Sequence, residues 1–166
     1  GLKNDLFNWA IAGRSLEKLE KLKTDLSKKY IEAKDTRIFV ADSFDEDSIE
    51  KLSKSAKVII STVGPYIKYG INLVSACAYN GTHYCDLTGE VPFIRQSIDA
   101  NDEIAINNKS KIIHSCGFDS IPSDLGVLCL QSEAIKKYNS SINLIKYYVK
   151  GTKGGFSGGT IASMIA

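Results

Sequence analysis

Apolar positions in the first part of the chain recur in two alternating patterns, short runs and helical stripes. The run at residues 7–12 (FNWAIA) is bounded by Gly13 and predicts a strand. After Ser15, whose hydroxyl suits the N-cap of a helix, leucines recur at helical spacing at positions 16, 19, 22 and 26. The pattern therefore predicts a strand followed by an amphipathic helix.

The same alternation continues as far as residue 115. Ser43 and Glu46 have the spacing of a capping box and predict a helix. The run at 58–63 is continuously apolar, as expected of a strand that is buried on both faces. Strands that alternate with helices predict right-handed crossovers and a doubly wound, Rossmann-type α/β fold around a parallel sheet. The remaining predicted strands lie at 37–42, 82–86 and 111–115, and the remaining helices at 71–79 and 93–107.

Residues beyond Cys116 have a different character. A loop rich in Gly, Asp, Ser and Pro leads to a predicted helix at about 123–130, and residues 143–150 alternate in a way that suits a strand. A glycine-rich run at 153–160 then leads into a terminal helix. We therefore expect one domain at residues 1–116 and the beginning of a second α/β domain at 117–166.

Composition excludes several classes of function. The 166 residues are 43% hydrophobic and 24% charged, as in a soluble globular protein, and a net charge of +2 is too small to indicate nucleic-acid binding. No apolar stretch reaches the roughly 18 residues that would cross a membrane. His83 and His114 have no evident partner in sequence, so we expect structural roles for both. We expect no metal site and reduced, mostly buried thiols, because zinc-ligand spacing is missing from the four cysteines, Cys77, Cys85, Cys116 and Cys129.

Gly13, Arg14 and Ser15 lie where the second strand of a Rossmann-type unit meets the adenosine ribose of a dinucleotide. NAD enzymes commonly place Asp or Glu at this junction, whereas a cation accommodates the 2′-phosphate of NADP. Arg14 with the neighbouring hydroxyl of Ser15 therefore favours NADP, with NAD as the alternative. Asp42 ends the following strand, where such folds meet the adenine, although a turn or cap acid would look the same.

The segment 63–66 (VGPY) follows the continuously apolar strand at its carboxyl end, the side on which open α/β sheets bind ligands. We expect Val63, Gly64 and Pro65 to line the cofactor, and Gly64 to allow close approach of the backbone. Tyr66 is placed to stack on the nicotinamide end or to hydrogen-bond it. The alternative is a tight turn that carries a half-buried tyrosine.

Carboxylates follow two further predicted strands and suit proton transfer or substrate orientation. Asp86 and Glu90 come after one of these strands, and Asp119 comes after the next. Capping of the neighbouring helices is the alternative for each acid. The candidate catalytic residues are therefore Tyr66, Asp86 and Asp119.

Together these motifs resemble the saccharopine dehydrogenase-like oxidoreductases. The resemblance spans nearly the whole chain, and the run from Cys116 is its most specific part. This family is similar, in turn, to the saccharopine reductase of lysine metabolism and the trans-acting enoyl reductases of bacterial glycolipid synthesis. The segments that carry the resemblance are AGRS at 12–15, VGPY at 63–66 with Tyr69 and Gly70, Tyr84, DLTGE at 86–90, CGFDSIPSDLG at 116–126 and SGGT at 157–160.

The resemblance implies an NAD(P)-binding domain at 1–116 and, at 117–166, the start of an inserted domain that supplies dimer contacts and part of the substrate cleft. It also implies that Arg14 and Ser15 face the adenosine phosphate. The first strand and the glycine-rich turn that holds the pyrophosphate would lie upstream of Gly1. A polypeptide that begins at Gly1 is therefore expected to bind little dinucleotide and to be inactive by itself.

The activity implied by the resemblance is NADP-preferring hydride transfer to or from a carbonyl, imine or activated alkene on a small or lipid-linked substrate. One alternative is a dinucleotide sensor or scaffold without turnover. Another is saccharopine reduction. A saccharopine site must hold several carboxylates, and Arg95 is the only arginine between Val63 and Ala166, which disfavours that substrate.

The resemblance also bears on partners and location. It implies a homodimer when the protein is intact, and it allows peripheral association with a membrane or lipid droplet. We expect a cytoplasmic protein, with the mitochondrion or lipid droplet as alternatives. The alternatives stay open because Gly1 stands in place of Met and the terminal helix lacks a cap, so a targeting segment could have been lost.

Overall fold

The structure is a computed structural model that describes residues 8–151, 153–155, 158 and 161, and every structural statement below concerns these residues. The strands are β1 (Ala10–Gly13), β2 (Arg37–Val40), β3 (Val58–Ser61), β4 (His83–Asp86) and β5 (Ile112–Ile113). The α-helices are α1 (Leu16–Lys29), α2 (Glu46–Lys54), α3 (Tyr66–Tyr69), α4 (Ile71–Asn80), α5 (Val91–Asn107) and α6 (Ile121–Tyr138). A short 3-10 helix, Ile31–Asp35, precedes β2.

The strands form two parallel groups, β1–β2 and β3–β4–β5, in which each strand pairs with its neighbour in sequence. Each crossover between paired strands carries a helix: α1 joins β1 to β2, α4 joins β3 to β4, and α5 joins β4 to β5. A doubly wound sheet has the strand order 3-2-1-4-5-6. The two groups match its 3-2 and 4-5-6 positions, and no described strand pairs between β1 and β3. The predicted doubly wound α/β class is confirmed.

Two helix ends follow the sequence as predicted. Ser15 caps α1, because its hydroxyl oxygen accepts a hydrogen bond from the Lys18 N–H at 3.4 Å. Helix α4 ends at Gly81, whose left-handed backbone (φ 68°) favours glycine over any residue with a Cβ. The Ser15 cap therefore sets where α1 begins, and Gly81 sets where α4 ends.

The N-terminus of α2 differs from the prediction. Its cap is Asp45, whose carboxylate accepts a hydrogen bond from the Ser48 N–H at 3.3 Å. The capping box predicted at Ser43 and Glu46 is wrong, because the helix begins at Glu46 and Ser43 lies too far upstream to cap its first turn. The Ser43 carbonyl instead accepts a hydrogen bond from Asn72 Nδ2 near the start of α4, at 2.8 Å. The segment after β2 is thereby attached to α4.

The main core lies between α4, α5 and one face of the β3–β4–β5 sheet. Val74 and Cys77 from α4 pack with Phe93 from α5 and Tyr84 from β4, and all four side chains are buried. Burial of a large apolar side chain contributes about 1.5–3 kcal/mol to stability. This core lies directly beneath the turn that follows β3, because Tyr66, where that turn leads into α3, belongs to the core.

The opposite face of the same sheet is open in the described chain. Val58 of β3 and Ile113 of β5 are more than half exposed, and Ile60 of β3 is 73% exposed. The prediction of a strand buried on both faces at 58–63 is wrong, because α4 and α5 cover one face only. The strand also ends at Ser61 rather than at residue 63.

The region after β5 differs from the prediction as well. Helix α6 extends well beyond the predicted 123–130. Residues 143–150 form no strand. The chain just before them is attached to α6, since Gln131 donates to the Ile142 carbonyl and accepts from its N–H, both at 2.8 Å. Half of the glycine-rich run at 153–160, and most of the terminal helix predicted after it, lie outside the described residues.

All four cysteines are free thiols, but only Cys77 is buried, so the expectation of mostly buried thiols is wrong. Within the described ranges, no group of three or more His, Cys, Asp or Glu side chains is arranged to hold a metal ion. None of the described helices has the length and apolar character needed to cross a bilayer.

Candidate functional site

The loops that follow the strands gather at the carboxyl edge of the two parallel groups. In the first group, the Ala41 N–H donates to the Gly13 carbonyl at 3.0 Å, which extends the pairing beyond the strands. The two groups meet where the Phe44 ring, after β2, packs edge-on against Tyr69 of α3 at 5.5 Å between centroids. Open α/β sheets bind ligands at this edge.

Arg14 and Asp42, the predicted adenosine contacts, lie at this edge after adjacent strands. Arg14 is exposed. The Ser15 hydroxyl beside it caps α1, so the cap alternative holds for Ser15. The Asp42 carboxylate accepts a hydrogen bond from the Phe44 N–H at 3.0 Å, which is the turn alternative considered for this acid. Arg14 is therefore the member of the set whose charged group is most accessible to a ligand.

The turn after β3 has an exposed side and a buried side. Val63 is half exposed, and the Gly64–Pro65 peptide bond that follows is cis. Tyr66 is 4% exposed, its ring packs against Phe93 at 5.6 Å between centroids, and its hydroxyl donates to the Ser61 carbonyl at 3.1 Å. Burial raises the pKa of Tyr66 to about 12, so the hydroxyl stays protonated at neutral pH.

Asp86, the last residue of β4, is the centre of a buried polar cluster. Its Oδ1 accepts hydrogen bonds from the N–H groups of Thr88 and Ser115, both at 3.1 Å, and its Oδ2 lies 2.7 Å from His114 Nδ1. Burial alone would raise the pKa of Asp86. The hydrogen bonds from His114, Thr88 and Ser115 outweigh burial and hold that pKa below its ordinary value. The ionised carboxylate therefore joins the loops after β4 and β5.

His114 has a partner that its sequence neighbours do not reveal. Its Nε2 lies 2.9 Å from Ser97 Oγ in α5, while its Nδ1 faces Asp86. Asp86 and His114 are 28 residues apart, and the parallel register of β4 and β5 brings them together. The set has the composition of a hydrolytic triad, but Ser97 is 2% exposed and is not accessible to a substrate. The cluster fits the structural role expected for His114.

Glu90 reaches from the loop after β4 to the turn after β3. Its Oε1 accepts a hydrogen bond from the Tyr66 N–H at 2.9 Å, and its Oε2 accepts one from the Ile67 N–H at 2.7 Å. Glu90 occupies the N-cap position of α5, but its side chain makes no capping bond to that helix. The carboxylate binds the start of α3 instead.

Asp119 is exposed and lies against the loop after β4. Gly117 permits this approach, since a Cβ there would lie 2.7 Å from Asp119 Oδ1 and 2.9 Å from Leu87 Cβ. Burial is the main cause of the raised pKa of Tyr66, and the negative charges of Asp86, Glu90 and Asp119 add to it. The three candidate catalytic residues therefore lie in one region, where Asp119 is the accessible member.

Tyr84 is a member of this region to which the sequence analysis assigned no role. It is buried beside Asp86, and its hydroxyl has no hydrogen-bond partner among the described residues. Burial raises the pKa of Tyr84, and the charge of Asp86 adds to this effect. The period of two along β4, which places Tyr84 and Asp86 on the same face, is the signal that could have found it.

The carboxyl edge has two exposed features, a charged side chain and a turn. Arg14 after β1 and Val63 after β3 both have exposed side chains at this edge. The hydrogen bonds accepted by Asp86 and Glu90 hold the intervening loops in place. At this sheet edge the described residues therefore provide an exposed cation, Arg14, and a turn that is held by the hydrogen bonds of Glu90.

Comparison with known proteins identifies relatives of this chain. Residues 2–113 match the family model described as the saccharopine dehydrogenase NADP binding domain. A Mycobacterium tuberculosis (strain ATCC 25618 / H37Rv) protein, whose name proposes a trans-acting enoyl reductase, is 42% identical over 156 residues, covering 94% of this chain and 36% of its own length. The trans-acting enoyl reductase of Mycobacterium leprae (strain TN) is 44% identical over 127 residues, covering 76% of this chain and 30% of its own length. The chain thus spans about a third of the length of these relatives.

A solved structure shows the same fold. Apo saccharopine dehydrogenase (L-Glu forming) from Saccharomyces cerevisiae superposes with a TM-score of 0.62 at 19% identity, covering 81% of this chain and 27% of that protein. At this identity the likeness concerns the fold alone. The family match covers most of the chain and includes every strand described here. The chain therefore belongs to the saccharopine dehydrogenase NADP-binding domain family.

Proposed function

We propose that this chain is the cofactor-binding part of an NADP(H)-dependent oxidoreductase. The observation that carries the proposal is Arg14, an exposed cation at the carboxyl end of β1, at a junction without Asp or Glu. Membership of a family described as NADP-binding supports the same cofactor over NAD. The nicotinamide would supply the hydride chemistry, and the chain would supply binding and orientation.

The proposed cofactor contacts run along the carboxyl edge. Arg14 and Ser15 contact the adenosine phosphate, Asp42 lies beside the adenine, and Val63 with Gly64–Pro65 lines the nicotinamide half. Support comes from the exposure of Arg14 and Val63 at the ends of neighbouring strand groups. Tyr66 would support this turn from its buried side, where its hydroxyl is bonded to the Ser61 carbonyl.

The proposed catalytic residues divide by exposure. Asp119 is the carboxylate that would meet a substrate, because it is exposed beside the loop after β4. Asp86 and Tyr66 are buried, so they would act through the loops they hold. Asp86 fixes the backbone at Ser115, and its charge therefore helps to place the loop that carries Asp119.

The proposed substrate carries an activated alkene, carbonyl or imine on a small or lipid-linked molecule. The name of the Mycobacterium leprae relative supports the enoyl member of this group. Saccharopine is disfavoured, because Arg95 forms an ion pair with Asp99 on the exposed surface of α5 and does not converge on the edge with other arginines.

Residues 1–116 and 117–166 are proposed as parts of two domains. The family match ends at residue 113, and no described strand follows β5, which supports a boundary there. We further propose that the second part belongs to a domain with substrate and homodimer contacts, in a cytoplasmic protein. The family resemblance also allows peripheral association with a membrane or lipid droplet, and the mitochondrion and lipid droplet stay as alternative locations.

A dinucleotide sensor without turnover is a second candidate. The burial of Tyr66 and Asp86 favours it, because neither side chain is accessible to a substrate. The two candidates share the cofactor site and differ in whether hydride leaves the cofactor.

The test uses the intact protein with NADPH or NADH and a panel of enoyl thioesters, ketones and imines. We expect oxidation of NADPH with an enoyl substrate and a preference for NADPH over NADH. Arg14→Ala should weaken NADPH binding about tenfold and leave NADH binding nearly unchanged, because it removes the phosphate contact. Lys18→Ala, an exposed cation on the first turn of α1, is the matched control.

Each outcome separates the candidates. Binding of NADPH without turnover across the panel would favour the sensor. Equal loss of NADPH and NADH binding in Arg14→Ala would overturn the cofactor assignment, and failure of the intact protein to bind either dinucleotide would overturn the proposal as a whole.

A further inference from the structure

Glu90 stands at the N-cap position of α5 with its backbone fixed on both sides. Its N–H donates to Thr88 Oγ1 at 3.0 Å, and its carbonyl accepts from the Ile94 N–H at 3.1 Å. The carboxylate of an aspartate at this position usually binds the free N–H groups of its own helix, whereas glutamate is not among the preferred capping residues. Here it makes no such bond, and Pro92 in the first turn removes one of those N–H groups.

The carboxylate is used instead on another part of the chain. Its two oxygens accept the N–H groups of Tyr66 and Ile67, 24 and 23 residues earlier, at 2.9 and 2.7 Å. Hydrogen bonds to an ionised acceptor are stronger than neutral ones, and two parallel bonds define an orientation. The backbone at Tyr66 and Ile67 is therefore held in place by a side chain from a neighbouring loop.

The same loop also holds the segment after β5. The Thr88 carbonyl accepts a hydrogen bond from the Ser115 hydroxyl at 2.8 Å, and the Asp86 carboxylate accepts one from the Ser115 N–H. The segment Asp86–Glu90 thus binds the loops on either side of it. Of these bonds, those of Glu90 reach the turn that carries the proposed cofactor-lining residues.

We infer that Glu90 is a positioning residue for the turn at 63–67, and that it sets the affinity for NADP(H) without touching the cofactor. The inference rests on the proposed function. Because the turn has one exposed side, formed by Val63, and one buried side, formed by Tyr66, a shift of its backbone changes the surface that a dinucleotide meets.

The test compares Glu90→Gln with Glu103→Gln in the intact protein. Glutamine keeps the size of Glu90 but turns an N–H donor towards a backbone N–H, so one of the two bonds is lost. Glu103 is exposed on the same helix and serves as the matched control. Glu90→Gln should raise the Kd for NADPH about tenfold, whereas Glu103→Gln should leave it unchanged.

A second readout needs no cofactor. In the protein without dinucleotide, hydrogen–deuterium exchange of the Tyr66 and Ile67 amides should be slow in the wild type and faster in Glu90→Gln. A merely structural role would lower the Tm and leave the Kd of the folded protein unchanged. The inference expects the Kd to change while the Tm falls by no more than a few degrees.

The outcomes distinguish this inference from the proposed function. If the wild type binds NADPH and Glu90→Gln binds it equally well, the positioning role is overturned and the proposed function stands. If the wild type does not bind NADPH, both are overturned. If Glu90→Gln does not fold, amide exchange in the wild type decides the matter. Rapid exchange at Tyr66 and Ile67 would overturn the positioning role of Glu90, and slow exchange would support it.

Discussion

Asp86 shows how much one residue contributes to the shape of the carboxyl edge. A buried carboxylate is costly unless its oxygens are well bonded, and Asp86 accepts hydrogen bonds from Thr88, Ser115 and His114. These bonds cross from β4 to the loop after β5. The free energy of this cluster therefore depends on the charge of a single side chain.

Asp86→Asn should lower the free energy of unfolding of the intact protein by about 3 kcal/mol at pH 7. The folded pKa of Asp86 lies below the ordinary value of about 3.9, so its contribution is present above that pH and is lost as the pH falls through the folded pKa. The difference between wild type and variant should therefore shrink below about pH 4. Urea unfolding across this pH range measures it.

Asp99→Asn is the control for this prediction, because Asp99 is an exposed acid that pairs with Arg95 on α5. It should change stability little at either pH. A constant difference between wild type and Asp86→Asn from pH 7 to pH 3 would contradict the account of the buried cluster.

At the level of single residues, the sequence predicted which acids lie at the carboxyl edge. It did not predict which groups these acids bind. Asp86, Glu90 and Asp119 were identified because acids after strands lie at the ligand-binding edge. Apart from Thr88, the partners of Asp86 and Glu90 lie 23–29 residues away, and strand register and loop packing decide which of them meet. No periodicity in the sequence carries that information.

The connection from β3 through α3 to α4 is the element on which the proposed cofactor turn depends. Gly70 joins the two helices where they pack against Phe93. A Cβ at this position would lie 2.7 Å from the Phe93 ring and 2.8 Å from the Tyr66 carbonyl oxygen. The close packing of these elements therefore requires glycine at position 70.

Gly70→Ala should destabilise the intact protein by about 2 kcal/mol, because the added methyl overpacks the core. Gly126→Ala is the matched control: it lies within α6 with nothing within 4 Å of its Cβ position, so alanine there should be neutral or stabilising by up to about 1 kcal/mol. Urea unfolding of both variants checks the pair. A Gly70→Ala variant as stable as wild type would show that the connection is looser than the structure indicates.

Elements with a strong apolar period were predicted well, and those defined by local backbone geometry were not. The helices α1, α4 and α5 follow from their stripes of apolar residues. Strand β5 is shorter than predicted, because the chain turns at Ser115, which has a left-handed backbone (φ 59°). The four-residue helix α3 was missed, because it is held by Glu90 from another loop rather than by its own sequence.

At the scale of the whole molecule, two parallel strand groups present their carboxyl ends together. The loop after β2 is attached to the helices after β3 by the Asn72–Ser43 hydrogen bond and the Phe44–Tyr69 contact. The proposed adenosine end at Arg14 and the proposed nicotinamide side at Val63 therefore belong to one surface. We therefore propose that this surface binds NADP(H).

Hydrogen–deuterium exchange of the intact protein, with and without saturating NADPH, tests this claim most directly. We predict that NADPH slows exchange at residues 13–15, 41–44 and 62–67, which come from the ends of three separate strands. Exchange in the middle of α6 should not change, since none of the proposed cofactor contacts lies on α6. NADPH-dependent slowing confined to other segments, or no slowing anywhere despite binding, would contradict the account.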